Sequence, residues 1–153
     1  MLKTLNTEKI NNLPENTIGE KIKKCRLKLG LSREVFAKSI KSELKTVALW
    51  EQDKIIPKAP SIKKISDTYY IPLDYFHDYY YIYYNDPIEK FLKWKKQNNY
   101  TYEQLGKTVK ADTSTIHNFA SGKYKLSFSL YKDLTILGGF KKGLYQNKFD
   151  TIR

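Results

Sequence analysis

Apolar side chains recur at Ile18, Ile22, Cys25 and Leu29, the i, i+4, i+7, i+11 spacing that lines one face of an α-helix. Lys21, Lys23, Lys24 and Lys28 fall mostly away from that face. Gly30 supplies a stop, and Ser32 is a good N-cap whose hydroxyl can accept a free backbone N–H. The pattern then predicts a short helix from Arg33 to Ile40 burying Phe36, Ala37 and Ile40, and a third from about Leu44 to Gln52 turning Val47 and Trp50 inward. Pro57 and Pro60 mark a loop, Ser61 is the expected cap of a fourth helix holding Ile62 and Ile65, and Pro72 fits the first turn of a fifth through Phe76.

The same pattern returns later in the chain at one constant offset. Ser32 to Ile40 lines up with Thr101 to Val109, Thr46-Val47 with Thr115-Ile116, Trp50 with Phe119, Lys54 with Lys123, and Ile65 with Leu134. The simplest reading is two copies of one small helical unit. In the second, Asp86-Pro87 reads as an acidic N-cap with proline at the first helical position, and Phe91 and Trp94 form the apolar face up to Gln97. Thr101 and Asp112 cap the next two helices, and Ser127 or Ser129 starts a fourth that ends at Gly138-Gly139. Phe140 to Arg153 forms either a short fifth helix or a frayed end. Tyr69 to Tyr84 holds eight of the 13 tyrosines. Such runs favour strands by propensity, yet this one lacks polar alternation. It is read as glue between the domains, as a dimer interface centred on Tyr79, Tyr80 and Tyr83, or as a stacking platform for single-stranded nucleic acid.

Composition narrows the function. The 153 residues carry 28 Lys plus Arg against 16 Asp plus Glu, a net charge of +12, which points to polyanionic partners. Both halves are basic, and all the positive side chains but Arg26, Arg33 and Arg153 are lysines. No apolar run is long enough for a membrane span, and the N-terminus has no apolar signal segment, so the expectation is a cytoplasmic protein. One cysteine and two histidines are poor stock for a zinc site, and no cofactor or metal is expected. No phosphate-binding glycine loop, paired carboxylates or activated nucleophile is found, so catalysis is not expected.

A short helix, a tight turn and a second helix on a basic surface form a reader of the DNA major groove. Such a unit needs a small residue where the helices cross, here Ala37 and Gly106, and apolar anchors behind the reading helix, here Val47 and Trp50, then Ile116 and Phe119. On these residues both copies resemble the Cro/repressor (xenobiotic-response-element) family of helix-turn-helix domains. The likeness rests on Ile18-Gly19-Glu20-Lys21-Ile22, Gly30-Leu31-Ser32-Arg33-Glu34, Trp50-Glu51 and Ile56-Pro57 in the first. In the second it rests on Thr101-Tyr102-Glu103-Gln104-Leu105-Gly106 and Ser121-Gly122-Lys123.

The resemblance implies an all-α protein of two tandem, lambda-repressor-like domains of about five helices each. The expected division is an N-terminal arm over 1–16, a first domain with its tyrosine-rich end over 17–84, and a second over 86–153. It also implies particular DNA contacts. Arg33 and Tyr102 would lie against a phosphate or the first base. Leu44, Lys45, Ala48 and Leu49 would form one reading face, and Thr113, Ser114, His117 and Asn118 the other. Lys54 and Lys123 would meet the backbone.

The copies differ as readers. Asn118 can bond adenine in bidentate fashion, and Thr113 and Ser114 can bond bases or touch thymine methyls, whereas the first face offers Lys45 as its one good donor. In the first turn Lys41 replaces the family's usual glycine, Ser42 its usual apolar residue and Glu43 its usual small cap. The reading is a sequence-specific double-stranded DNA-binding repressor of phage or mobile-element type, its two domains spanning half-sites about 34 Å apart. The alternative is an inhibitor or antitoxin-like protein acting through a protein partner gripped by Leu44, Leu49 and the tyrosines, with or without DNA binding of its own.

Overall fold

In a computed structural model of the chain, residues 7–140 are described. Those residues form eleven α-helices and no strand, so the fold class is all-α. The chain divides into two compact units, and along the described residues the division falls between Tyr80 and Tyr81.

The first unit holds α1 (Thr7–Asn11), α2 (Ile18–Lys28), α3 (Arg33–Ser39), α4 (Leu44–Glu51), α5 (Ala59–Tyr69) and α6 (Leu73–Phe76). Its core holds most of the apolar set expected from periodicity: Ile22, Cys25, Phe36, Ala37, Ile40, Val47, Trp50, Ile62 and Ile65 are buried, whereas Ile18 and Leu29, at the two ends of the α2 face, are half-buried. Burial also pushes the pKa of the Cys25 thiol well up. The start of α2 is closed by two sets of bonds. Thr17 and Glu20 form a reciprocal capping box. Asp53, held in the left-handed region at φ 56° after α4, accepts the Gly19 N–H at 2.8 Å and the Thr17 hydroxyl at 2.6 Å. A Cβ on Gly19 would run into the Trp50 carbonyl oxygen and the Asp53 carboxylate, so glycine is what allows this approach.

The second unit holds α8 (Pro87–Gln97), α9 (Tyr102–Thr108), α10 (Thr113–Ala120) and α11 (Phe128–Ile136). These helices begin at Pro87, Tyr102, Thr113 and Phe128, which follow the first residues of α2, α3, α4 and α5 by the offset that separates Ser32 from Thr101. For the first three pairs the last residues coincide at the same offset too. Phe91 packs edge-on against Phe119 with ring centroids 5.5 Å apart, and Leu105, Val109, Ile116, Leu126, Leu130, Tyr131, Leu134 and Phe140 are buried with them.

Several local expectations are corrected. Ser61 lies inside α5, which starts two residues earlier with Pro60 in its first turn. Proline there lacks only an N–H that a helix start leaves unbonded anyway. Asp86 precedes α8 but adopts φ 52° and makes no side-chain cap bond. Ser127, and not Ser129, caps α11 by accepting the Leu130 N–H. The stretch read as an N-terminal arm contains α1, whose Ile10 is buried. Lys24, assigned to a solvated face, is 2% exposed, because Asn11 O accepts its ammonium at 2.9 Å and Glu15 pairs with it at 3.2 Å.

The tyrosine-rich run is helical, over α6 and α7 (Asp78–Tyr83). Two of the three tyrosines offered for a dimer surface, Tyr79 and Tyr80, are buried within this one chain, and Tyr80 donates its hydroxyl to Pro57 O at 2.7 Å. They are thereby removed from any surface, and only Tyr83 of the three is half-buried. The choice between helix and fraying for the end of the chain concerns residues 141–153, which lie outside those described.

Candidate nucleic-acid interface

In the first unit α3 and α4 are joined by four residues. Ser32 accepts the Val35 N–H at 3.1 Å and so starts α3. The chain then reverses through Lys41 at φ 53°, and the Ser42 N–H returns to Ala37 O at 2.9 Å. The sequence departs from the family's glycine at the one position of this turn that is left-handed, a conformation costing a residue with a Cβ roughly 1–2 kcal/mol. Glu43 follows as an N-cap without a side-chain bond.

Beneath this pair lies a group of charges that the sequence reading did not single out. Arg26 donates Nε to Glu51 Oε2 at 2.7 Å and Nη2 to Oε1 at 3.0 Å, with both side chains buried. Its Nη1 reaches Leu31 O at 2.9 Å. Arg33, at the first position of α3, adds Nε and Nη2 to the same Glu51 Oε1 at 3.4 and 3.3 Å. The triad locks α2, the start of α3 and the end of α4 together. A signal for it was present, because two of the three arginines in a lysine-dominated chain are the pair that meets Glu51. Bidentate geometry demands guanidinium where lysine cannot serve.

The second unit solves the same joint differently. Thr101 and Gln104 form a capping box that starts α9, and Asp112 Oδ1 accepts the Thr115 N–H at 2.7 Å to start α10. Bonding from Thr115 holds the Asp112 carboxyl below the usual carboxylate range. A Cβ on Gly106 would stand 2.6 Å from Thr113 Oγ1 and 3.2 Å from Thr113 N, so the two helices cross at a glycine. Among the described residues none of the connection 109–112 is left-handed. In place of the buried charges, Lys95 sets its ammonium 4.3 Å from the Tyr102 ring centroid, and Tyr102 packs against His117 with centroids 5.0 Å apart.

The candidate contact residues fall as follows. Leu44, Lys45 and Lys54 are exposed, Ala48 and Leu49 are half-buried on the same helix, and Arg33 is half-buried against Glu51. Thr113, Ser114, His117 and Lys123 are exposed, with Asn118 and Tyr102 half-buried. The loops that carry Lys54 and Lys123 close alike. Leu49 O accepts the N–H groups of Lys54 and Ile55, and Asn118 O those of Lys123 and Tyr124. Each loop lysine is thus tied by its backbone to the outer face of the preceding helix. Lys95 and the Arg26–Glu51 pair are the additions that three-dimensional structure makes to the site.

No helix among the described residues is long and apolar enough to cross a membrane. No curated protein and no solved structure matches the chain. A helix-turn-helix family model matches residues 22–76, from within α2 to the end of α6. That match supports a DNA-binding regulator, in a family that is regulatory and not typically enzymatic.

Proposed function

We infer that the chain is a sequence-specific double-stranded DNA-binding transcriptional regulator, a repressor of phage or mobile-element type. It carries a helix-turn-helix domain over 17–84 and a second over 86–153, after a short N-terminal segment, and works in the cytoplasm. The observation that carries this reading is the recurrence of α2, α3 and α4 as α8, α9 and α10, at one constant offset and with identical lengths. Lysines of both domains displace counterions from phosphates and set a salt-dependent affinity. Thr113, Ser114, His117 and Asn118 then choose the site through base-edge contacts, with Tyr102 and Lys123 on the backbone. In the first domain Lys45, Ala48, Leu44 and Leu49 meet the groove, with Arg33 and Lys54 on phosphates. Homodimer formation is compatible with this reading, and no cofactor enters it.

The test is binding to DNA from upstream of the protein's own gene, against a shuffled duplex, across rising salt. A specific regulator discriminates by ~10³ or more at physiological salt, and Asn118→Ala with Ser114→Ala reduces that ratio while leaving the shuffled duplex bound as before. Equal binding of both duplexes sinks the choice of target, and binding of neither sinks the DNA reading. A second reading is favoured by one observation, the 50% exposure of Leu44 at the tip of α4 beside the half-buried Leu49. On it the first domain grips a protein while the second reads DNA, and Leu44→Ser with Leu49→Ser abolishes partner binding and spares DNA binding.

A further inference from the structure

An open groove of about 1040 Å³ runs along the outer side of α8. Tyr83, Tyr84, Ile88 and Leu92 give it an apolar floor, and Lys93, Lys96 and Lys125 make one end basic. Asp86 and Glu89 close the other end. Leu92 is 41% exposed although it sits on an eleven-residue helix, and all three lysines are exposed. Among the described residues none of the three ammonium groups makes a hydrogen bond or ion pair.

The first unit offers the same helix side with its cover in place. Lys24 of α2 is the counterpart of Lys93 at the repeat offset, and Glu20 is the counterpart of Glu89. There the chain's own segment from α1 to Glu15 lies over the helix. Ile10 is buried, Asn11 O accepts the Lys24 ammonium, and Glu15 pairs with it. A cleft of about 300 Å³ lies between that helix, the covering Leu13 and Pro14, and the end of α4. A carbonyl and a carboxylate are therefore what the lysine of this face takes when it is covered, with a buried apolar residue on the same covering segment.

We propose that the groove beside α8 docks a short acidic helical segment of a partner protein, with an apolar side chain against Leu92 and a carboxylate on Lys93. Charge selects this occupant. The basic end calls for carboxylates at one end of the segment, whereas a second copy of a chain carrying +12 brings net repulsion. The groove shares no residue with the set Tyr102, Thr113, Ser114, His117, Asn118 and Lys123. A docked partner and DNA can accordingly be held at once, which gives the regulator a protein input without a separate sensing domain. The inference uses the proposed DNA reading only for that last step.

The test titrates the full-length ¹⁵N-labelled chain with a synthetic peptide of the chain's own residues 7–16, which carries the Ile10 and Glu15 that cover α2. The expected result is amide shifts confined to residues 83–96 and Lys125. Binding should weaken roughly tenfold or more with Lys93→Glu or Leu92→Asp, and with Glu15→Gln in the peptide. Both protein variants alter exposed side chains, and their helical circular dichroism should equal that of the parent. Shifts elsewhere, or affinity unchanged by Lys93→Glu, would overturn the proposal. So would self-association that Leu92→Asp abolishes, because a second copy would then fill the groove. DNA retardation by the folded Leu92→Asp chain separates the two readings: it persists if the groove serves a protein, and its loss would overturn the assignment.

Discussion

The α3–α4 joint of the first unit and the α9–α10 joint of the second have helices of equal length and connections of four residues, yet they are fastened by opposite chemistry. Where the first sets Arg26, Arg33 and Glu51, the second sets Lys95, Tyr102 and Ala120 at the matching positions of the repeat. The first joint is closed by a buried, directional charge pair. The second is closed by a tight glycine crossing and by an ammonium over a tyrosine ring that packs, tilted, against a histidine. Where Asp53 reaches back to cap α2, its counterpart is Gly122, which has no side chain to do so, and Ile88, in the place of Gly19, sets its Cδ1 beside it. Shared geometry therefore does not require shared fastening. It also presents different side chains, since Arg33 leans on Glu51 with part of its length still exposed while Tyr102 packs against His117.

The largest expected effect breaks the first fastening. Glu51→Ala strands the buried Arg26 guanidinium and should destabilise the first unit by about 3–5 kcal/mol. Urea unfolding followed through amide signals of each unit should move the first unit's transition alone. Next comes the crossing glycine of the second unit: Gly106→Ala should lower that unit's stability by about 1–3 kcal/mol, since Thr113 N is fixed by its helix. The same assay reads it, and an unchanged second unit would mean the crossing is looser than drawn. A smaller effect is due from Asp53→Ala, which removes two bonds at the start of α2 and should cost about 1 kcal/mol in the first unit only.

The smallest effects appear in the pH dependence and have opposite signs. The Asp112 carboxyl is held low by Thr115, so its contribution is present above the ordinary carboxylate range and fades as pH falls through its lowered folded value. Asp74 of the first unit is raised, chiefly by burial, so its charged form is a burden at neutral pH that is relieved as pH falls. Acid titration of Asp112→Asn should remove a loss of stability in the second unit. In the first unit Asp74→Asn should remove a gain.

Most helix positions were legible in the sequence because caps, glycines and 3.6-residue periodicity all act locally. The starts of α3, α9 and α10 follow from Ser32, Thr101 and Asp112 with their immediate neighbours, and Thr17, a cap of the same kind at the start of α2, was passed over. What escaped depends on residues distant in sequence. Lys24 reads as solvated on a helical wheel, and only α1 with Glu15 arriving from outside the wheel makes it a buried ion. Tyr79 and Tyr80 look like a surface patch until the hydroxyl of Tyr80 finds Pro57, 23 residues back. The Arg26–Glu51 pair spans 25 residues, and its trace in the sequence is chemical and not positional: arginine where lysine is the rule. For the candidate site, the exposed residues of α4 and α10 were read from helical phase, whereas Lys95 needed the end of α8 to be brought over α9.

Cys25 turns this asymmetry into a clock. It is the chain's one cysteine, fully enclosed in the first unit, and its thiol is far from ionising. A thiol reagent can therefore modify the protein only during excursions that open α2 from its core, so the labelling rate counts those excursions directly. Because the second unit contains no sulfhydryl at all, the same reaction is blind to it. A single time course on the untouched sequence thus reports how often one half of the molecule breathes while the other goes unseen.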